Sequence, residues 1–273
     1  MAKVLSDFRY VSVDHLVAPG MPTYQHLAVG AEFQNTVYDF LKSFWYQRHN
    51  LDLSDKELQD LLDDYKNTYY QPLHEPTRDL LKSVLDKHPA GTPLSVIDLG
   101  CANGTLLHYL QSIDAMDDVR FVGVEPYKVF ADDLRETFPE QQVIVGNAEE
   151  FPDMDFDSRL DLPVTTVFCS LVLYMLSPDV AKRCLKKATE MTDLICGFDY
   201  CLNARGEIES NDDEVVMLEY NAPTGQIYFA HEYEKYFDEL GFSFETTSEP
   251  SRPVEGREVG HAAFRAQRLR GKS

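Results

Sequence analysis

The stretch SVIDLGCANGTLLHYL, residues 95–110, sets a carboxylate, Asp98, near the end of an apolar run and follows it with Gly100 and Gly104. Charge at the edge of a core is costly unless something there uses it. Glycines let ligand atoms come close to the main chain, and a helix N-terminus offers unpaired N–H groups to an anion. Residues of these types at this spacing favour ligand capture at a strand-to-helix turn. They do not match the dinucleotide fingerprint G-x-G-x-x-G, because Ala102 and Thr105 stand where its second and third glycines belong. A nicotinamide-dependent dehydrogenase is therefore a distant alternative. The five cysteines, Cys101, Cys169, Cys184, Cys196 and Cys201, have no paired spacing and suggest buried thiols, with no metal set among them.

The elements that must position this turn follow from periodicity. Residues 31–48 carry Phe33, Val37, Phe40, Leu41, Phe44 and Trp45 at spacings of three and four, which predicts an amphipathic helix. Ser54 and Glu57 form a capping-box pattern for a second, and Glu75 with Pro76 opens a third. The first 90 residues thus read as mostly helical. After HPAGTP the texture changes to short apolar runs alternating with helical stretches, the pattern of a doubly wound parallel sheet. Strands are expected at 94–100, 119–125, 141–147, 163–170 and 192–200, with helices near 104–114, 127–138 and 179–190. A hairpin follows at 214–220 and 226–230, then a helix from His231 and two closing strands around 242–249 and 261–269.

With these landmarks in order, the chain resembles the class I S-adenosylmethionine-dependent methyltransferases over roughly residues 92–270. The turn Asp98, Gly100, Ala102, Asn103, Gly104 is similar to their first motif, with Ala102 replacing the middle glycine. Glu125 and Pro126 close the second strand in RFVGVEP, Asn147 and Ala148 close the third in VIVGNAEEF, and Cys169 and Ser170 close the fourth before LVLYML. An acid at the turn serves capping as readily as binding, and Glu125 alone would read as a surface acid; these four features in register, with the closing pair of strands and the ELGF before them as a fifth, carry the functional reading. The resemblance implies a Rossmann-like, seven-stranded, mostly parallel sheet with an antiparallel last strand. It implies a helical N-terminal lid over residues 1–90 and an S-adenosylmethionine-binding core over 91–273 with an inserted hairpin around 214–230. It also implies that Asp98 contacts the methionine end of the cofactor and that Glu125 holds the two ribose hydroxyls, a task suited to a group with two acceptors. Either Asn147 or Glu149 would lie near the adenine amine.

Methyl transfer from a sulfonium needs alignment and exclusion of water more than a covalent residue or a metal, so no metal is expected. Tyr174, Asp199, Tyr200 and His231 are the candidates bordering an acceptor pocket. His231, opening a helix, reads either as a base or as a solvent-exposed helix-end residue, and Tyr174 and Tyr200 serve as wall or as catalyst. On the lid, Tyr24, Tyr69, Tyr70 and His74 are candidate acceptor-binding residues, with His15 nearby.

The formal charge of −21, from 25 basic against 46 acidic residues, repels nucleic acid. A cationic or neutral small molecule is the expected acceptor, methylated on oxygen or nitrogen. The absence of a long apolar run and of a signal-peptide pattern points to a soluble cytoplasmic chain with no membrane partner. Two other readings stand beside this one: a methyltransferase-fold binding protein without catalysis, and a protein or peptide methyltransferase. Oligomeric state has no signal in the sequence.

Overall fold

Parallel strands can be joined only through a crossover, so apolar runs alternating with helical stretches between residues 94 and 204 build one sheet flanked by helices. The computed structural model describes residues 24–30, 54, 56, 59, 60, 63, 73, 75–89, 91–117, 119–156, 158–160, 162–176, 178–204, 215–221, 226–246, 252–254 and 257–269. In chain order the elements are β1 (Tyr24–Gly30), α1 (Glu75–Lys87), β2 (Leu94–Leu99), α2 (Thr105–Ser112), β3 (Val119–Glu125), α3 (Lys128–Thr137) and β4 (Gln142–Val145). Then come β5 (Thr166–Ser170), α4 (Pro178–Met191), β6 (Leu194–Ala204), β7 (Val215–Asn221), β8 (Gln226–Ala230), α5 (Tyr233–Glu239), β9 (Phe242–Thr246), β10 (Arg252–Val254) and β11 (Arg257–Arg268). Two 3-10 turns, Ala148–Asp153 and Leu173–Met175, follow β4 and β5.

The main sheet runs β4-β3-β2-β5-β6-β11, with β9 and the short β10 both pairing with the far edge of β11. β2 through β6 are parallel, whereas β11 is antiparallel to β6. The expected seven strands are present, and β10 is an addition.

Successive residues of a strand face opposite sides, so each inner strand feeds two cores. Val96, Phe121, Phe168 and Cys196 join Leu80, Leu107 and Leu134 of α1, α2 and α3 on one face. Ile97, Val122, Val167 and Ile195 join Leu185 of α4 and Phe237 of α5 on the other. Strand order reverses between β2 and β5, and such a switch point opens a crevice at the carboxyl ends of the strands. The turn after β2 lies there.

Two findings depart from the periodicity. β1 arises in a region expected to be mostly helical and pairs antiparallel with β7, which pairs in turn with β8. The anticipated hairpin is therefore two strands of a three-stranded sheet. β5 also begins at Thr166 rather than at residue 163. Residues 56, 59, 60 and 63 are helical, as expected for the second helix, whereas the helix expected over 31–48 lies outside the described residues. Among the described residues no helix is long and apolar enough to cross a membrane.

Candidate functional site

The turn after β2 is tied down by main-chain bonds. Gly100 and Cys101 both donate to the Val124 carbonyl, at 2.8 and 3.1 Å, and Gly104 donates to the Cys101 carbonyl at 2.9 Å. Gly100, Ala102 and Gly104 take φ of 75°, 48° and 92°. Glycine meets this left-handed demand freely, whereas Ala102 takes it at a cost. Gly100 has a second reason to lack a side chain, because a Cβ there would collide with Cγ2 of Val172, two residues beyond β5.

Glu125 ends β3 buried, not at the surface. Its Oε2 accepts the Ala102 N–H at 3.0 Å and its Oε1 accepts the Tyr127 N–H at 2.9 Å. A carboxylate oxygen accepts more than one hydrogen bond, so this grip orients the group and leaves acceptor capacity on both oxygens. Burial raises the Glu125 carboxyl to about 7, against the pull of those two N–H groups. Asp98, 3% exposed, is raised to about 8 by burial first and by the neighbouring Glu125 charge second. Two acids on one face of the sheet, both held above the carboxylate range, make a site that would welcome hydroxyl donors or a cation.

Asn103, between the two, is 1% exposed, and neither its Oδ1 nor its Nδ2 has a partner among the described residues. A native fold seldom strands a buried amide, so a partner for it is expected from beyond the described residues. Asn147 is exposed and starts the first 3-10 turn, where its N–H donates to Glu150 at 2.9 Å. Ala148 and Glu149 are half-buried beside it, Pro126 is exposed, Cys169 is buried, and Ser170 is half-buried.

On the acceptor side the structure rearranges the expected roles. Leu171, at φ 55°, reverses the chain after β5, and its N–H donates to Phe198 at 2.7 Å. Asp199 of β6, fully buried, accepts the Leu173 N–H at 2.9 Å on Oδ2 and the Tyr174 N–H at 3.1 Å on Oδ1. Burial raises its carboxyl to about 8, while main-chain N–H groups and the nearby Tyr233 hydroxyl favour the charged form. His231 is 0% exposed, which overturns its reading as a solvent-exposed helix-end residue. Its Nε2 donates to the Leu173 carbonyl at 2.8 Å, which fixes a proton on that nitrogen, and its ring packs by Tyr233 and Tyr236. The second 3-10 turn is thus held at its donors by Asp199 and at its acceptor by His231.

Tyr174 is buried within that turn. Tyr200 follows Asp199 in β6 opposite His261, and Tyr24 opens β1 opposite Asn221. His15, Tyr69, Tyr70 and His74 lie outside the described residues. Val172 was missed by sequence reasoning; nothing local marks a valine as the neighbour of a glycine 72 positions earlier.

No protein-family model matches this chain, and no curated protein matches it in sequence. Solved structures do match in fold. The N-terminal domain of EvdMO1 with SAH bound is similar at 14% identity and a TM-score of 0.52, over 86% of this chain and 97% of that one. The same domain in the presence of SAH and D-fucose gives 14% identity and 0.51, over 81% and 100%. The plantazolicin methyltransferase BamL, in complex with a triazolic desmethylPZN analog and SAH, gives 11% and 0.52, over 86% and 97%. The chain has the class I S-adenosylmethionine-dependent methyltransferase fold.

Proposed function

We propose that this chain is an S-adenosylmethionine-dependent methyltransferase that modifies an oxygen or nitrogen of a small molecule. The observation that carries the reading is the Glu125 carboxylate, gripped by two main-chain N–H groups beside a left-handed glycine turn, with buried Asp98 and an Asn103 amide that has no partner among the described residues next to it. These residues fit the cofactor.

S-adenosylmethionine supplies, when bound, a sulfonium methyl group open to in-line displacement. Glu125 receives the ribose hydroxyls on the acceptor capacity its two main-chain bonds leave. Asp98, in its charged form, would attract the cationic methionine end, and the Asn103 amide would offer it both a donor and an acceptor. Gly100, Ala102 and Gly104 shape the cradle, Pro126 follows the ribose acid, and Asn147 with Ala148, or Glu149, lies along the adenine. Cys169 and Ser170 border both cofactor and acceptor. Tyr174, Tyr200 and His231 are the residues proposed for the reaction on the acceptor side, and Tyr24, Tyr69, Tyr70 and His74 those proposed to bind the acceptor. An amine acceptor needs alignment and exclusion of water; a hydroxyl acceptor gains from a base.

Two features support a small acceptor. β1 pairs along its whole length with β7, so residues 24–30 and the inserted strands form a single three-stranded sheet, which we propose to be part of an acceptor-binding lid over a core at 91–273. One similar structure is a complex with a triazolic desmethylPZN analog and SAH, and another was obtained in the presence of SAH and D-fucose. The five free, buried cysteines fit a reducing cytoplasm, and the net charge of −21 disfavours nucleic acid.

Calorimetry with S-adenosylmethionine and S-adenosylhomocysteine tests the cofactor; no binding at high micromolar concentration would overturn the reading. Radiolabel transfer from S-adenosylmethionine into cell extract split by size tests the acceptor. Label is expected in the small-molecule fraction and should be unaffected by a chelator; label confined to protein would favour a protein or peptide acceptor.

A further inference from the structure

We infer that His231 and Asp199 are positioning residues for cofactor binding, because together they fix the turn whose Val172 holds Gly100 in place; the inference rests on the cofactor reading above.

Leu171 enters the turn with a left-handed backbone, a conformation that persists only where surrounding contacts over-determine it. Those contacts are the Asp199 carboxylate on the N–H groups of Leu173 and Tyr174 and the His231 Nε2–H on the Leu173 carbonyl. A carboxyl group offers a separate oxygen to each of two adjacent main-chain donors, which accounts for an acid kept in a fully buried place. Val172, between the reversal and the clamped residues, occupies the space where any side chain at Gly100 would begin. Gly100 and Cys101 are bonded to Val124 on their other side, so the first glycine of the cradle is held between β3 and this valine. If the clamp loosens, Val172 withdraws and the turn that carries Asp98, Ala102 and Asn103 loses one of its walls.

The clamp also joins two parts of the molecule. His231 directly follows β8, an edge strand of the three-stranded sheet, and forms a parallel bridge with Cys201 of β6. A shift of that sheet therefore reaches the glycine turn through one histidine and one valine.

The test measures S-adenosylhomocysteine binding by calorimetry on the full-length protein and on His231→Phe, His231→Gln, Val172→Ala and the double variant His231→Phe with Val172→Ala. Phenylalanine keeps a ring among Tyr233 and Tyr236 but lacks the donor, and about tenfold weaker binding is expected. Glutamine keeps an N–H donor, so it should restore affinity to within about threefold of the parent. Val172→Ala should weaken binding, and the double variant should lose less than the product of the single losses, as one shared route requires. Binding by His231→Phe within about twofold of the parent, or strictly multiplicative losses, would overturn the clamp. Should His231→Phe fail to fold, Asp199→Asn applies the same test, since an amide leaves one of the two main-chain donors without an acceptor. A parent protein that does not bind sinks the cofactor reading and the clamp with it; a parent that binds as its variants do sinks the clamp alone.

Discussion

Asp98 and Glu125 are ordinary acids in a place that resists charge, and their protonation should govern both stability and binding. Their folded values, about 8 and about 7, lie above the usual carboxylate range because of burial. A group whose pKa rises on folding contributes stability that is present below its unfolded value and lost as pH climbs through its folded value. The ligand-free protein should therefore melt at progressively lower temperature between about pH 5.5 and pH 8.5, and Asp98→Asn should flatten that slope. A wild-type melting temperature that climbs over this range would contradict the burial argument. The cofactor reading adds the converse expectation. Hydroxyl donors on Glu125 and positive charge near Asp98 favour the ionised forms, so binding should release protons and tighten from pH 6 to pH 8.5. Titrations in two buffers of different ionisation enthalpy would count those protons. Glu125→Gln leaves one acceptor where two main-chain donors converge, and should weaken cofactor binding about tenfold or more.

At the scale of elements, the glycine turn separates two reasons for a missing side chain. Gly91 and Gly100 have nearly equal φ, 78° and 75°, but a Cβ at Gly91 meets nothing within 4 Å whereas one at Gly100 meets Val172. Gly91→Ala should cost only the left-handed penalty, about 1–2 kcal/mol. Gly100→Ala should cost a further 1–3 kcal/mol or so of overpacking, and cofactor affinity should fall with it. Equal melting temperatures for the two variants would remove Val172 from the account. How much of this was legible beforehand depended on range. The strands β2 to β6 and the helices α1 to α4 stood out because apolar spacing and Gly/Pro punctuation are local, and Asp98, Glu125 and the glycines could be placed for the same reason. β1 was hidden because YQHLAVG has a weak strand pattern and its partner β7 lies some 190 residues on. His231 read as a helix-end residue because only its neighbours were visible; its burial depends on a carbonyl 58 positions earlier. Asp199 was noticed as an acid near the acceptor side, yet its employment as a main-chain clamp requires a turn that no local pattern announces.

For the molecule as a whole, charge decides what can approach and how tightly the chain holds together. A formal charge of −21 over 273 residues creates a negative field that turns away polyanions and opposes compaction. Among the described residues, the ion pairs Lys128–Asp132, Arg135–Asp132 and Arg268–Asp193 are exposed, so screening weakens them, but each contributes little. Self-repulsion spreads over far more acids than these pairs involve, and it too fades as the Debye length shrinks from about 30 Å at 0.01 M to about 8 Å at 0.15 M salt. The two effects oppose each other, and the excess of acids makes repulsion the larger. Adding sodium chloride over that range should therefore raise the melting temperature of the ligand-free protein, with little further gain beyond it. The same series with a short RNA present should show no additional shift, because the net negative charge repels a phosphate backbone. A melting temperature that falls with salt would mean that ion pairs dominate, and a salt-sensitive shift with RNA would reopen nucleic acid as the acceptor.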